Sequence, residues 1–215
     1  MKKLVIFDLD GTLLNTISDL AQAANYALKS LSFPEHQEEK YYQFVGNGVN
    51  KLLERALPEK ERNAANIQKM RSFFIPYYDQ HNTLFSRPYD GIMQVLVQLQ
   101  KQGVLLAIAS NKYQKATEKL VRHYFPQITF AVIVGQRDGI AVKPDPFCIR
   151  EILEITHTDP QEVLYVGDSD VDVQTARRAQ VCMCAVTWGF RSREELIACN
   201  PTYIADRAEE ILDYV

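Results

Sequence analysis

Apolar residues follow two rhythms along this chain. Short unbroken runs lie at 4–7 (LVIF), 104–109 (VLLAIA), 130–134 (FAVIV), 163–166 (VLYV), 183–187 (MCAVT) and, more weakly, 203–205 (YIA). Rich in Val, Ile and Leu and without alternation, they read as strands covered on both faces. Between them the spacing is helical. Ile92, Val95, Leu96 and Leu99 share one face, and Gly103 after Lys101 and Gln102 supplies a stop. Residues 113–124, 146–155, 171–180 and 193–199 follow the same pattern. Strand and helix alternate from residue 90 onward, which predicts a parallel sheet with right-handed crossovers.

Residues 16 to 82 break that alternation. They offer no strand, and Ile17, Leu20, Ala21, Ala24, Leu28 and Leu31 recur at helical spacing. Thr16 and Asp19 have the spacing of a capping box, with Asp in place of Glu. A second helix is expected from about Asn47 to Pro58, and a third from about Glu59 to Gln80, with Pro76 able to kink it. The expected division is therefore an α/β core of residues 1–15 and 83–215, with an all-helical insert of residues 16–82.

Composition narrows the class. A chain of 215 residues can bury a core without staples. A formal net charge of −3 provides no global positive field for nucleic acid or an anionic membrane. Cys148, Cys182, Cys184 and Cys199 lack zinc-finger or CxxC spacing and are expected to be reduced packing residues. The LVIF run before the first aspartate is far short of a signal segment, and no stretch nears the ~20 apolar residues of a membrane span. The expected location is the cytoplasm, with monomer and homodimer both open.

Ligands of parallel sheets bind outside the carboxyl ends of the strands. Here those ends carry Asp8 and Asp10, then Ser110, Asn111 and Lys112, then Asp168, Ser169 and Asp170 with Asp172 beyond. Lys143 opens the loop before the last of these strands. Two carboxylates about 4 Å apart repel by roughly 4 kcal/mol at an effective dielectric near 20, so such a rim needs compensation. An all-oxygen set without His or Cys suits a hard cation, and Mg²⁺ works with a few carboxylates, water and phosphate. Four ionised carboxylates against Lys143 and one divalent cation leave a single negative charge. Protonating one carboxyl cancels it and supplies a general acid. Thr12 and Ser110 offer hydroxyls, Asn111 an amide, Lys143 a point charge, and Gly11 close backbone approach.

FDLDGTLLNT, SNK, KPDP and GDSDVD, in that order, resemble the four motifs of the haloacid dehalogenase superfamily of phosphohydrolases. The insert after the first motif is similar to that superfamily's first-type helical cap. FVGNGVNKLLERAL and RPYDGIMQVLVQLQKQG are similar to its phosphoglycolate phosphatase-like subgroup. The resemblance covers essentially the whole chain and implies a Rossmann-like three-layer core. It implies Asp8 as nucleophile, forming an aspartyl-phosphate, and Asp10 as the acid that protonates the leaving alcohol and then activates water. It implies Mg²⁺ on Asp8, the Asp10 backbone carbonyl and Asp168, with Asp172 and Ser169 behind them. Thr12, Ser110, Asn111 and Lys143 would bind the phosphoryl group of a small phosphorylated metabolite. Members that cleave carbon–halogen bonds lack the acid, so Asp10 argues for phosphoryl transfer. A phosphomutase, a pyrophosphatase, a phosphonatase using Lys51, or a non-catalytic phospho-acceptor would share part of this set.

Several residues read two ways. Asp170 suits helix capping or water orientation. Gly46-Asn47-Gly48 suits an anion site at a helix start or a hinge-like loop. Lys51 and Arg55 suit a substrate anion or solvent, while Tyr77 and His81 suit packing or a linker. Asn15 stands where related sequences commonly carry Asp, and it can cap the first helix of the insert.

Overall fold

The computed structural model describes residues 1–215. Six strands form one parallel sheet: β1 (Leu4–Phe7), β4 (Leu105–Tyr113), β5 (Val132–Gln136), β6 (Val163–Gly167), β7 (Cys182–Val186) and β8 (Tyr203–Ala205). Their order is β5-β4-β1-β6-β7-β8, so the first strand lies at the centre between β4 and β6. Leu4 and Ile6 face one side, where they pack with α7 (Phe147–Thr156), α8 (Asp170–Ala179) and Leu196 of α9 (Arg193–Ala198). Val5 and Phe7 face the other side, against α5 (Ile92–Lys101), α6 (Gln114–Tyr124) and the 3₁₀ turn Ala208–Tyr214. Both faces being covered is the reason these strands lack a polar alternation. The three-layer α/β expectation holds, with strand ends shifted by a few residues.

Four helices, α1 (Ile17–Ser30), α2 (Glu38–Phe44), α3 (Val49–Ala56) and α4 (Ala64–His81), pack around a separate cluster of 19 buried residues. The chain enters and leaves them through β2 (Leu14–Asn15) and β3 (Arg87–Pro88), which pair antiparallel. No helix is long and apolar enough to cross a membrane, and all four cysteines are free.

Three local expectations need correction. The helix α2 had no counterpart in the sequence reading, because it is only seven residues long and Tyr41 alone among them is buried. The third helix of the insert starts at Ala64, capped by Asn63, after a separate 3₁₀ turn at Glu59–Glu61. The capping box at α1 does not form. Thr16 turns its hydroxyl to Asp10 Oδ1 at 2.7 Å. Asp19 accepts instead from the backbone of Phe85 and Ser86 and from the Ser86 hydroxyl. Buried donors without water make these longer-range bonds worth more than a solvent-side cap.

Candidate active site

At the end of β1 the Asp8 amide still donates to Val166 of β6, and the chain then turns sharply. Thr12, Leu13 and Leu14 all donate back to the carbonyl of Leu9. Gly11 makes the turn possible twice over. Its φ is +85°, and a Cβ there would lie 2.3 Å from an Asp168 carboxylate oxygen. The turn leaves Asp8 and Asp10 at the rim, with Thr12 donating to Asp168 Oδ1 at 3.1 Å. Residues more than 150 positions apart thus meet because β1 and β6 are neighbours.

Asp8 Oδ1 accepts from the Leu9 amide at 2.7 Å and lies 3.0 Å from Lys143 Nζ, while its Oδ2 accepts no hydrogen bond. Asp168 is held by Thr12 and, at 2.8 Å, by the Phe190 amide. Asp172 is buried and fully engaged. One oxygen meets Lys143 and the Tyr165 hydroxyl, and the other takes the Ser169 amide and hydroxyl. Ser169, rather than Asp170, is the cap of α8, and with Asp172 it forms a capping box.

Lys143 is equally tied. Its ammonium reaches Ala109 O, Tyr165 Oη, Asp172 Oδ1 and Asp8 Oδ1, all within 3.0 Å. Burial would lower its basicity, but Asp172 and Asp8 outweigh that and raise it above the usual lysine range. Asn111, read from the sequence as a phosphate ligand, lies at the rim with its carboxamide committed. Oδ1 accepts from the Lys143 amide, and Nδ2 donates to the carbonyls of Lys143 and Gly46. Ser110 Oγ accepts from the Lys112 amide at 3.3 Å, and its hydroxyl proton remains free to donate.

The residue the sequence reading left without a role is Lys112. Its ammonium sits 2.9 Å from Asp10 Oδ2, and both side chains are largely buried. Four carboxylates therefore face two ammonium groups. The excess is two negative charges, which one divalent cation would cancel without the extra proton that counting Lys143 alone required.

The acid cluster fits such a cation. Oxygens of Asp8, Asp168 and Asp172 lie within 4.8 Å of one another, and none of these ligand atoms is nitrogen or sulfur. Burial pushes the carboxyls of Asp8 and Asp168 upward, with Asp172 adding to both, and Lys143 offsets only part of the rise at Asp8. Burial acts on Asp172 too, yet Lys143 and the hydrogen bonds from Lys143, Ser169 and Tyr165 hold it below the ordinary carboxylate range. Asp172 is satisfied by protein, whereas Asp8 and Asp168 are not.

The helical layer covers this rim. The pocket over Asp8, Asp10, Ser110 and Asp168 is walled by Leu20, Val49, Leu52, Phe74 and Tyr78 from the helices. Lys51 and Arg55 do not line it. Lys51 pairs with Glu54, and Arg55 donates to Phe44 O and Asn47 Oδ1. Arg191, which nothing in the sequence flagged, does line it. Asp170 sits 3.7 Å from Arg191, nearly half exposed, and does not line the pocket.

A sheet with this order, four motif ends on one rim and a helical cover entered after the first strand define a class. The chain belongs to the haloacid dehalogenase-like hydrolase family, whose model matches residues 5–186. Within it the similarity runs to phosphatases over nearly the full length, and the chain is an enzyme of that kind. The phosphoglycolate phosphatase of Vibrio parahaemolyticus is 31% identical over 218 residues, covering 99% of this chain and 96% of that protein. That of Mesorhizobium japonicum is 32% identical, over 89% and 86% respectively. Among solved structures, a Lactobacillus delbrueckii subsp. bulgaricus protein provisionally described as a phosphoglycolate phosphatase superposes with a TM-score of 0.93. It is 32% identical, over 100% of this chain and 98% of that one.

Proposed function

We propose that the enzyme is a Mg²⁺-dependent phosphatase of small phosphomonoesters, with phosphoglycolate as the leading substrate, acting through an aspartyl-phosphate on Asp8. One observation carries the reading: Asp8 has one oxygen anchored by Leu9 and Lys143 and the other free of donors, beneath a covered pocket shared with Ser110 and Asp168. The names of the relatives near 30% identity support the substrate.

In this mechanism the free oxygen of Asp8 attacks phosphorus, and the bond to the leaving oxygen breaks. Asp10, which takes up a proton as the phosphate dianion enters, gives that proton to the leaving oxygen as the alcohol departs. Asp10 then takes a proton from the water that attacks the aspartyl-phosphate, releasing inorganic phosphate and restoring Asp8. Ser110 donates to a phosphoryl oxygen, with Lys143 as fixed positive charge and Thr12 keeping Asp168 in place. Mg²⁺ would be held by Asp8, the Asp10 carbonyl and Asp168, and when bound it supplies the charge that lets a phosphate dianion approach carboxylates. Asp172 and Ser169 act from behind by fixing Lys143.

Residues 16–82 serve as a cap on a core of residues 1–15 and 83–215. The paired passages near 13–16 and 83–88 act as hinges, and closure excludes bulk water. Phosphate release from a panel of phosphorylated metabolites, with Mg²⁺ or with EDTA, tests the reading. Asp8→Asn is expected to lose about 10³-fold or more in kcat. An Asp8→Asn enzyme with wild-type turnover would remove Asp8 from the chemistry.

A further inference from the structure

Two core side chains grip the cap at one place. The guanidinium of Arg191 donates to the carbonyls of Tyr42 and Val45, at the carboxyl end of α2. Asn111 donates to the carbonyl of Gly46, 2.9 Å away. Carbonyls at a helix end have no partner within the helix, so this short segment is where a cap can offer acceptors to the core. Gly46 and Gly48 suit the loop by conformation: both have positive φ, while a Cβ at either would meet Arg191 Nη2 or the Asn111 carbonyl only at the ordinary contact distance of 3.4 Å.

Each gripping residue is also one step from the reacting groups. Arg191 follows Phe190, whose amide holds Asp168 Oδ2, and Gly189, whose backbone packs on the Asp168 side chain. Asn111 clamps the backbone of Lys143 on both its N–H and its C=O, and Lys143 holds Asp8. The cap segment thus touches one residue that positions Asp168 and another that positions Lys143.

We propose that Arg191 and Asn111 are positioning residues forming a two-point latch, which fixes Asp168 and Lys143 only when the cap is seated. The proposal rests on the phosphatase reading and its closing cap. With the cap lifted, Arg191 loses both carbonyl acceptors and keeps Asp170 at 3.7 Å as its charged neighbour. Asn111 loses one of its two acceptors. The loops carrying Asp168 and Lys143 then each lose a brace, so a substrate that prevents full seating meets an incomplete site. The Gly46-Asn47-Gly48 loop serves through its carbonyls, neither as an anion site nor as a free hinge.

Steady-state kinetics and amide hydrogen exchange on the full chain decide the matter, using any small phosphomonoester the wild type hydrolyses. Arg191→Ala is expected to lower kcat roughly tenfold while KM stays within about threefold, because the loss falls on assembly of the site. Exchange should quicken both at 42–48 and at 187–190. Arg191→Lys, which keeps a charge and a donor, should recover part of kcat. Adding Asn111→Ala to Arg191→Ala should cost less than Asn111→Ala costs alone, since both act on one seated state. Unchanged kcat, unchanged exchange at 42–48, or fully multiplicative losses would overturn the latch. A wild type that releases phosphate from no ester would sink the phosphatase reading instead, and the exchange comparison would still decide whether Arg191 seats the cap.

Discussion

Lys112 holds its ammonium 2.9 Å from Asp10 Oδ2 and 4.7 Å from the centre of the Tyr78 ring, joining β4, Asp10 and α4 in one contact. Both charges of the pair are mostly shielded from water, and the second oxygen of Asp10 is taken by Thr16. Removing one partner of a buried pair leaves the other uncompensated, which costs more than the pair itself contributes. Lys112→Met is therefore expected to reduce kcat by about tenfold or more, whereas Lys112→Arg retains more of it. Turnover of Lys112→Met within twofold of wild type would dissociate Lys112 from the work of Asp10.

Divalent cation binding should depend on pH in a specified direction. Burial raises Asp8 to about 7, against the pull of Lys143 and with help from Asp172 and Asp10. Burial, with Asp172 and Asp8, raises Asp168 to about 8. Unfolded aspartates titrate near ~4, so the cation-free folded protein holds more protons than the unfolded chain between those values. The stability these two groups contribute is complete below the unfolded pKa and is lost as pH rises through about 7 to 8. Cation binding needs the deprotonated forms and offsets that loss. The melting-temperature difference between Mg²⁺ and EDTA samples should accordingly be larger at pH 8 than at pH 6. An equal or reversed difference would mean these two carboxylates do not bind the ion.

Gly189→Ala should damage the site without unfolding the protein. A Cβ there would sit 2.2 Å from the Asp168 Cβ and 2.5 Å from the Gly11 carbonyl, so Asp168 must shift. A displacement near 1 Å at a reacting group can cost on the order of 10²-fold in rate. The expected result is a much weaker Mg²⁺-induced rise in melting temperature, reduced kcat and an unchanged far-ultraviolet circular dichroism spectrum. Normal activity in this variant would show that the loop after β7 can give way.

Asp19 stabilises the joint between the two parts of the molecule. Nearly inaccessible on α1, it accepts three hydrogen bonds from Phe85 and Ser86, just before β3. Asp19→Ala strands those donors and is expected to cost roughly 2–4 kcal/mol in urea denaturation. Asp19→Asn, which keeps one acceptor, should cost less. A loss below about 0.5 kcal/mol, the range of neutral surface substitutions, would mean solvent reaches the joint.

Strands and motif ends were legible because they depend on local signals: unbroken apolar runs for doubly covered strands, and carboxylates where those runs stop. Asp8 and Asp168 could be brought to one rim because every strand of a parallel sheet ends on the same edge. Other features depend on partners that no local pattern reveals. Thr16 and Asp19 have the spacing of a cap, but their bonds go to Asp10 and to residues 66 and 67 positions away. Lys112 sits inside a motif that was quoted, yet its ion pair follows from where β4 ends beside β1. Arg191 binds backbone carbonyls, which every residue possesses, so nothing in Tyr42 or Val45 could announce it. The signal available in sequence was the Gly46-Gly48 pair, whose positive φ turns the backbone between α2 and α3.

What α1, α3, α4 and the loop at 45–48 contribute to the pocket wall is apolar, aromatic or glycine, and the large side chains among it belong to a hydrophobic cluster distinct from the two that flank the sheet. Val49, Leu52 and Phe74 donate no hydrogen bond to the carboxylates, so they can be exchanged for other shapes provided Thr16, Tyr78 and the carbonyls at 42–46 keep their contacts. On the proposed phosphatase reading, the shape of this wall can change while the contacts that brace the carboxylates are kept. A lineage of such enzymes could then drift from one phosphorylated metabolite to another by repacking a few wall residues.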